Sequence, residues 1–443
     1  MGWIENRNGK TSSAPQSCGL QLLSGIMKRV LLLLPTTSYR NEAFIAAGKK
    51  VGVEMITAAD YCHRLAPGWG LDPIRAVHFD RPGEALDVVL RSLKHKPDAV
   101  LAVDDPGLEL AALLNERLGL AANLPEAVRR VRDKLSFRQM QKEGGLLCPD
   151  FRHLPSDADP AELLSRLKWP VVVKARRLSG SRGVIRADNA QAYLQAVSWV
   201  KGIQNKADRD AADLGLVVEG FIPGREYALE SILDHGKLNT LAWFDKPDPL
   251  DGPYFEETIY VTPSRLPNRT QEEIHHAVQH ACRLAGLVTG PVHAEMRVND
   301  EGVWLLEVAA RSIGGLCGIT LNHVLGITLE ELILRHALNE PVELSASREG
   351  AGVMMIPIPR RGIYRGVRNL GSVLEVPGIT GIRITAQAGQ IIAPPPDGAS
   401  YLGFIFSLCA NPAEAEMALR LAHTRLLFDI QPEYKVQESI SEH

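Results

Sequence analysis

The 443-residue chain carries six cysteines, at positions 18, 62, 148, 282, 317 and 409, and no two of them are spaced as CxxC. That spacing excludes a thioredoxin-type motif and paired-cysteine zinc sites, and it suits reduced thiols in a cytoplasmic protein. Long apolar runs are also missing. A stretch such as Val30 to Leu34 is far too short to cross a bilayer, so no membrane partner is expected. Neither sign of charge is in excess: 49 Lys and Arg stand against 52 Asp and Glu, a net charge of -3. A basic field for nucleic acid is therefore not expected. The chain contains no GxGxxG, no GxxxxGK followed by Ser or Thr, no HExxH and no GxSxG. A standard dinucleotide fingerprint, a P-loop, a zincin and the common serine-hydrolase elbow are thereby set aside.

What is present describes a soluble globular protein, 45% hydrophobic and 23% charged. Its length calls for two to four domains. Residues 1–26, which include NRNGKTSSAPQSCG, are polar and without periodicity. They are expected to be a disordered leader that lacks the apolar stretch of a secretory signal, with Met27 as the natural beginning. From 27 to 124 apolar strands alternate with helices (KRVLLLLP, then NEAFIAAGKKVGVEM; later AVLAV before LELAALLNERL), which predicts a doubly wound parallel unit. Asp104 and Asp105 end one of its strands. They read as turn and N-cap residues, or as the edge of a ligand crevice. Residues 125–340 read as a second unit, with a small α+β subdomain over about 150–218. From 341 to 443 short Gly- and Pro-punctuated strands and a final helix predict an α+β domain.

The chemistry concentrates in GPVHAEMRVNDEGVWLLEVAARSIGG, residues 290–315. His293, Glu295 and Arg297 alternate with apolar residues, as do Glu307 and Arg311 after the turn, so two strands form an antiparallel hairpin. A three-residue loop, Asp300-Glu301-Gly302, pairs Asn299 with Val303 and sets Glu295 opposite Glu307. Two carboxylates with Cβ atoms about 4.5–5.5 Å apart repel unless a divalent cation lies between them, and oxygen ligands suit Mg²⁺. A two- or four-residue turn instead pairs Glu295 with Leu306, and a wet surface hairpin is the other reading.

Elsewhere, Lys174 ends the apolar strand VVVKA ahead of Ser179-Gly180-Ser181-Arg182-Gly183. A lysine beside such a loop can hold phosphate, and a solvated strand-end lysine is the alternative. Glu219 closes another apolar strand, with Glu226 seven residues on. The segment FDKPDPLDGPYFEE carries Lys246, Glu256 and Glu257 and reads as a substrate loop or a solvated connection. His293 reads as a substrate-orienting group or a structural hydrogen-bond donor. His275, His276 and His280 share a helix that reads as surface.

The order of these features resembles the ATP-grasp superfamily over roughly residues 27–340. EVAAR followed by a Gly-Gly turn, with the α+β tail, is similar to its L-amino-acid ligase branch. The resemblance implies that Lys134 and Lys174 contact the nucleotide phosphates under the 179–183 loop. It implies that Glu219, Gly220, Phe221 and Ile222 form the adenine hinge, with Glu226 on the ribose. It further implies that Glu295 and Glu307 hold Mg²⁺ (or Mn²⁺), and that Arg311 stabilises the reacting centre. Gly314 and Gly315 leave room for substrate. The family's asparagine two residues after the second metal Glu is Ala309 here. The implied reaction joins a small-molecule carboxylate to an amine, amino acids foremost, through an acyl phosphate, with ADP and phosphate released. Two rivals are a biotin carboxylase-like enzyme and a nucleotide-binding module without turnover. A homodimer is the family expectation.

Overall fold

The computed structural model describes residues 3–5, 27–60, 76–207, 212–345, 347, 349–398 and 400–433. Within the expected leader, Trp3–Glu5 pairs antiparallel with Ile379–Ile384, and the rest of residues 1–26 lies outside the described residues.

The first unit is a three-stranded parallel sheet in the order Glu54–Ala59, Arg29–Leu34, Ala99–Ala102. Its central strand is apolar at every position from Val30 to Leu34 because both faces are covered. Val30, Leu32 and Leu34 pack with Phe44 and Ile45, and Leu31 and Leu33 pack with Val89, Leu110 and Leu114. Each fully buried leucine contributes about 1.5–3 kcal/mol.

A four-stranded antiparallel sheet follows, ordered Phe151–Leu154, Leu216–Gly220, Val171–Ala175, Val184–Ala187, with the helix Ala190–Ala207 on one face. It forms one wall of a cleft. The opposite wall is a nine-stranded sheet that begins at Trp3–Glu5 and ends at the hairpin Gly290–Asn299 and Gly302–Ala309. This sheet does not stop at residue 341, where the sequence changes texture. Gly350–Ile356 pairs with Ile259–Thr262, so strands from the C-terminal region extend the same hydrogen-bonded surface toward the cleft. Among the described residues no helix is long and apolar enough to cross a membrane, and Cys148, Cys282, Cys317 and Cys409 are free thiols.

Candidate functional site

The hairpin does set Glu295 opposite Glu307, by a route different from the expected one. Asn299 pairs with Gly302, so the turn has two residues, and Met296 pairs with Leu305. That register points Glu295 at Leu306, but a bulge there inserts one extra residue and restores the Glu295–Glu307 pair. The bulge also corrects the expected faces of the second strand. Leu305, Val308 and Ala310 enter the core with Val292, Ala294 and Met296, while Leu306 and Glu307 both face the cleft. The Leu305 carbonyl accepts from Arg138 Nη1 at 3.1 Å and from Gln141 Nε2 at 3.0 Å. Two side chains of the helix Lys134–Glu143 thus hold the strand at its irregular point.

That helix starts where Asp133 caps it, accepting from the Leu135 and Ser136 N–H groups, while the Arg176 guanidinium holds the same carboxylate at 2.5 and 3.0 Å. Lys134 is thereby fixed at the helix start, its Nζ donating to the Leu178 carbonyl at 2.5 Å. Lys174, on the facing strand, lies 2.6 Å from Glu219 Oε1. Arg138 grips the same carboxylate with Nε at 2.7 Å and Nη2 at 3.0 Å. Burial would raise the Glu219 carboxyl; Arg138 and then Lys174 reverse this and hold it down at about 2. Burial pulls the Lys174 ammonium below its ordinary value.

A cavity of about 200 Å³ gathers most of the expected residues: Lys134, Lys174, Glu226, Glu295, Glu307 and Arg311 all line it. From the glycine loop Gly180 and Ser181 face it, with Gly180 and Ser181 at φ 63° and 55°. Arg182 and Gly183 line a neighbouring cleft instead, and Ser179 lies against Asp105. Gly183 is required where it stands: its φ is 65°, and an added Cβ would come within 2.9 Å of the Ala175 Cβ. At the expected hinge, the Gly220 and Phe221 N–H groups donate to Asp150 and Pro170 carbonyls at 2.9 and 3.0 Å. Ile222 N–H has no partner among the described residues, while its carbonyl accepts from Arg297 at 2.9 Å. The Glu219 side chain turns away from the hinge to its two cations.

Glu226 is placed beside Glu257 and Glu295, all three offering carboxylate oxygens within 4.8 Å of one another. Lys246 already fills this nest, its Nζ 2.7 Å from Glu226, 2.6 Å from Glu257 and 3.1 Å from Glu295. Burial would lower the Lys246 ammonium, but these carboxylates drive it well up. Burial and the nearby Glu295 charge push Glu257 up to about 7. Glu256, the next residue back, lines the neighbouring cleft. His293 is buried, with Nδ1 3.1 Å from Glu230 and Nε2 3.4 Å from Glu295. Burial works against its charge, yet hydrogen bonds to these carboxylates raise it to about 9.

Glu307 differs from the others. It is half-buried, and among the described residues no cation reaches its carboxylate within 4 Å. An unpaired carboxylate opposite Glu295, both offering hard oxygen donors, fits a divalent cation. The Glu226–Glu257–Glu295 nest fits one less well, because Lys246 neutralises it.

Part of the cavity's lining carries no charge, at Ile313, Gly315, Cys317, Met355, Tyr401 and Phe404, with Glu257 and Lys246 near Cys317 and Tyr401. Gly314 also lines it, and Gly315 stands at φ 61° with Phe404 3.3 Å from where a Cβ would lie. Arg138 and Tyr260 were not singled out from sequence; Lys246 was read as part of a substrate loop and Arg297 as a residue of the hairpin's polar face, neither with the partner it has here. For Arg138 a signal existed, since it lies four residues after Lys134 and so on the same helix face.

Among known proteins, residues 167–320 match the ATP-grasp domain family and residues 354–431 match L-amino acid ligase C-terminal domain 2. Carnosine synthase 1 of Gallus gallus is 28% identical over 294 residues, which is 63% of this chain and 32% of that protein. Alanine–anticapsin ligase of Bacillus subtilis (strain 168) is 24% identical over 314 residues, 65% of this chain and 64% of that protein. The chain therefore spans about a third of the first relative's length and just under two thirds of the second's. The crystal structure of the L-amino acid ligase from Bacillus licheniformis superposes with a TM-score of 0.80 at 25% identity, covering 91% of this chain and 99% of that one.

Proposed function

Because the chain joins an ATP-grasp domain to C-terminal domain 2 of the L-amino acid ligases, we propose that it is an ATP-dependent carboxylate–amine ligase acting on amino acids. The observation that supports this best is the convergence of Lys134, Lys174, the Glu295–Glu307 pair and Arg311 on one cavity beside a glycine loop. Their roles follow from where each charge sits. Lys134 and Lys174 offset phosphate charge, and the loop's backbone N–H groups close over the same oxygens. Lys174 is pre-set by Glu219 and Arg138, so it need not be ordered when nucleotide arrives. The unpaired Ile222 N–H offers the purine edge a donor. Glu295 and Glu307 would hold Mg²⁺, which when bound offsets charge on the transferring phosphoryl group.

The substrate carboxylate attacks the γ-phosphorus, ADP leaves, and an acyl phosphate forms. The amine, having lost its proton, then adds to the carbonyl carbon and phosphate departs, leaving an amide. Arg311 faces the oxygen that becomes negative as the amine adds. The protein's share is positioning and charge compensation.

The uncharged part of the lining, with Phe404, Tyr401 and Met355, suits an apolar amino-acid side chain. In pairwise mixtures of amino acids with ATP, those with large apolar or aromatic side chains are expected to give the fastest phosphate release, with an amide detected by mass spectrometry. Preference for acidic side chains would contradict this pocket reading. Nucleotide binding with no ADP formation on adding amino acids, or carboxylated product with bicarbonate, would replace the ligase by one of its two rivals.

A further inference from the structure

Asp104 and Asp105 close the strand Ala99–Ala102 of the N-terminal sheet, and the two carboxylates do different things. Asp104 caps the following turn, accepting from the Asp105 N–H at 2.9 Å. That local bond leaves the Asp105 side chain to look outward, across the boundary into the second unit. There it meets Arg311, whose Nε lies 2.8 Å from Asp105 Oδ2 and 3.7 Å from Asp104 Oδ1. The approach is oblique, so the buried Nε has a charge partner without a hydrogen bond, while Nη1 donates to the Ser312 carbonyl at 3.0 Å. Ser179, in the glycine loop, lies against Asp105. A small cavity of about 20 Å³ is lined by Asp105, Ser179, Lys134, Glu307 and Ala309, which places Asp105 beside two of the residues that line the main cavity, Lys134 and Glu307.

Three carboxylates thus compete for one guanidinium. Asp105, Asp104 and Glu307 all raise the Arg311 pKa, against the effect of burial. Arg311 follows Glu307 by four residues, on the segment leaving the same strand. With Asp105 neutralised, Asp104, which is 3.7 Å away with the same oxygen engaged by its own turn, and Glu307 are left to draw the guanidinium, and an arginine resting on Glu307 would neutralise a cation's ligand. We propose that Asp105 is a positioning residue: from the N-terminal domain it holds Arg311 off Glu307 and at the reacting end of the cavity, beside Ser179 of the glycine loop. The inference rests on the reading of Arg311 and Glu307 given under the proposed function.

Asp105→Asn keeps the shape and removes the charge; Asp105→Glu keeps the charge. In Asp105→Asn, kcat for ADP release should fall about tenfold to a hundredfold with KM for ATP changed less than about threefold, since a misplaced group costs turnover rather than binding. The Mg²⁺ concentration for half-maximal rate should rise. By calorimetry, ADP binding with Mg²⁺ should weaken while ADP binding without metal stays as in the wild type. Asp105→Glu should recover most of the loss. In an Arg311→Ala background, Asp105→Asn should add no further loss, because it acts through that side chain. Wild-type turnover and metal dependence in Asp105→Asn, or an equal loss in both backgrounds, would overturn the inference. Wild-type turnover in Arg311→Ala itself would overturn the site reading beneath it, which is a different result.

Discussion

Glu307→Gln is expected to lower ADP formation by about three orders of magnitude or more while leaving thermal stability within about 0.5 kcal/mol of the wild type. Both halves follow from the same geometry. The carboxylate has no ion pair within 4 Å among the described residues, so an isosteric amide breaks no internal contact. It does remove half of a two-carboxylate cation site, and a metal's charge stabilisation in phosphoryl transfer amounts to several kcal/mol. Relief of the repulsion with Glu295, paired directly opposite, acts in the stabilising direction. Glu295→Gln makes the contrast. It would weaken contacts to Lys246 at 3.1 Å, His293 at 3.4 Å and Tyr260 at 3.2 Å, so stability should fall along with activity. Turnover with ATP, Mg²⁺ and an amino-acid mixture, set beside a melting curve, separates the two variants. Wild-type-like turnover in Glu307→Gln would refute the metal assignment.

The facing of Glu295 and Glu307 was legible in sequence because both alternate with apolar residues on the two arms of one hairpin, yet the route to it was not. A loop length counted from Asn299 to Val303 reaches the right pair with the wrong turn. The observed two-residue turn needs the bulge at Leu306, which sequence alternation does not mark and which Arg138 and Gln141 hold from a distant helix. Lys174 was legible as a charge at a strand end, whereas Lys134 was reached only through the family resemblance, and both line the cavity. Lys246 was visible as a charge but not as the cation inside an acidic nest, since its partners Glu226, Glu257 and Glu295 come from three separate segments. The same limit applies at residue 341. The texture shift there is real, but strand pairing between Gly350–Ile356 and Ile259–Thr262 is a long-range contact that no local pattern states. Asp105 shows the reverse case. Its local reading as a turn residue suits Asp104, whereas its own carboxylate acts across two units of the fold.

Glu219→Gln should produce the largest loss of stability. Arg138 and Glu219 are each 2% exposed and Lys174 is 7% exposed, so the triad is almost wholly removed from water. Replacing one member of such a buried ionic set strands its partners and costs about 3–5 kcal/mol. Here two cations would be left within reach of each other around a neutral amide. The pH dependence has a definite sign. An ordinary glutamate titrates at 4.5 and this one at about 2, so the folded state prefers the ionised form. Its stabilising contribution is complete above pH 4.5 and is lost as pH falls from there toward 2, amounting to about 3 kcal/mol over that window. Glu219→Gln should therefore show a lower denaturation midpoint at neutral pH and a shallower decline in stability between pH 4.5 and 2, both measurable by urea unfolding. Activity should suffer separately, because Lys174 is aimed by Glu219: the variant's KM for ATP should rise at temperatures where it is still fully folded. A variant that unfolds at the wild-type urea concentration across this pH range would show that Arg138 and Lys174 find other partners.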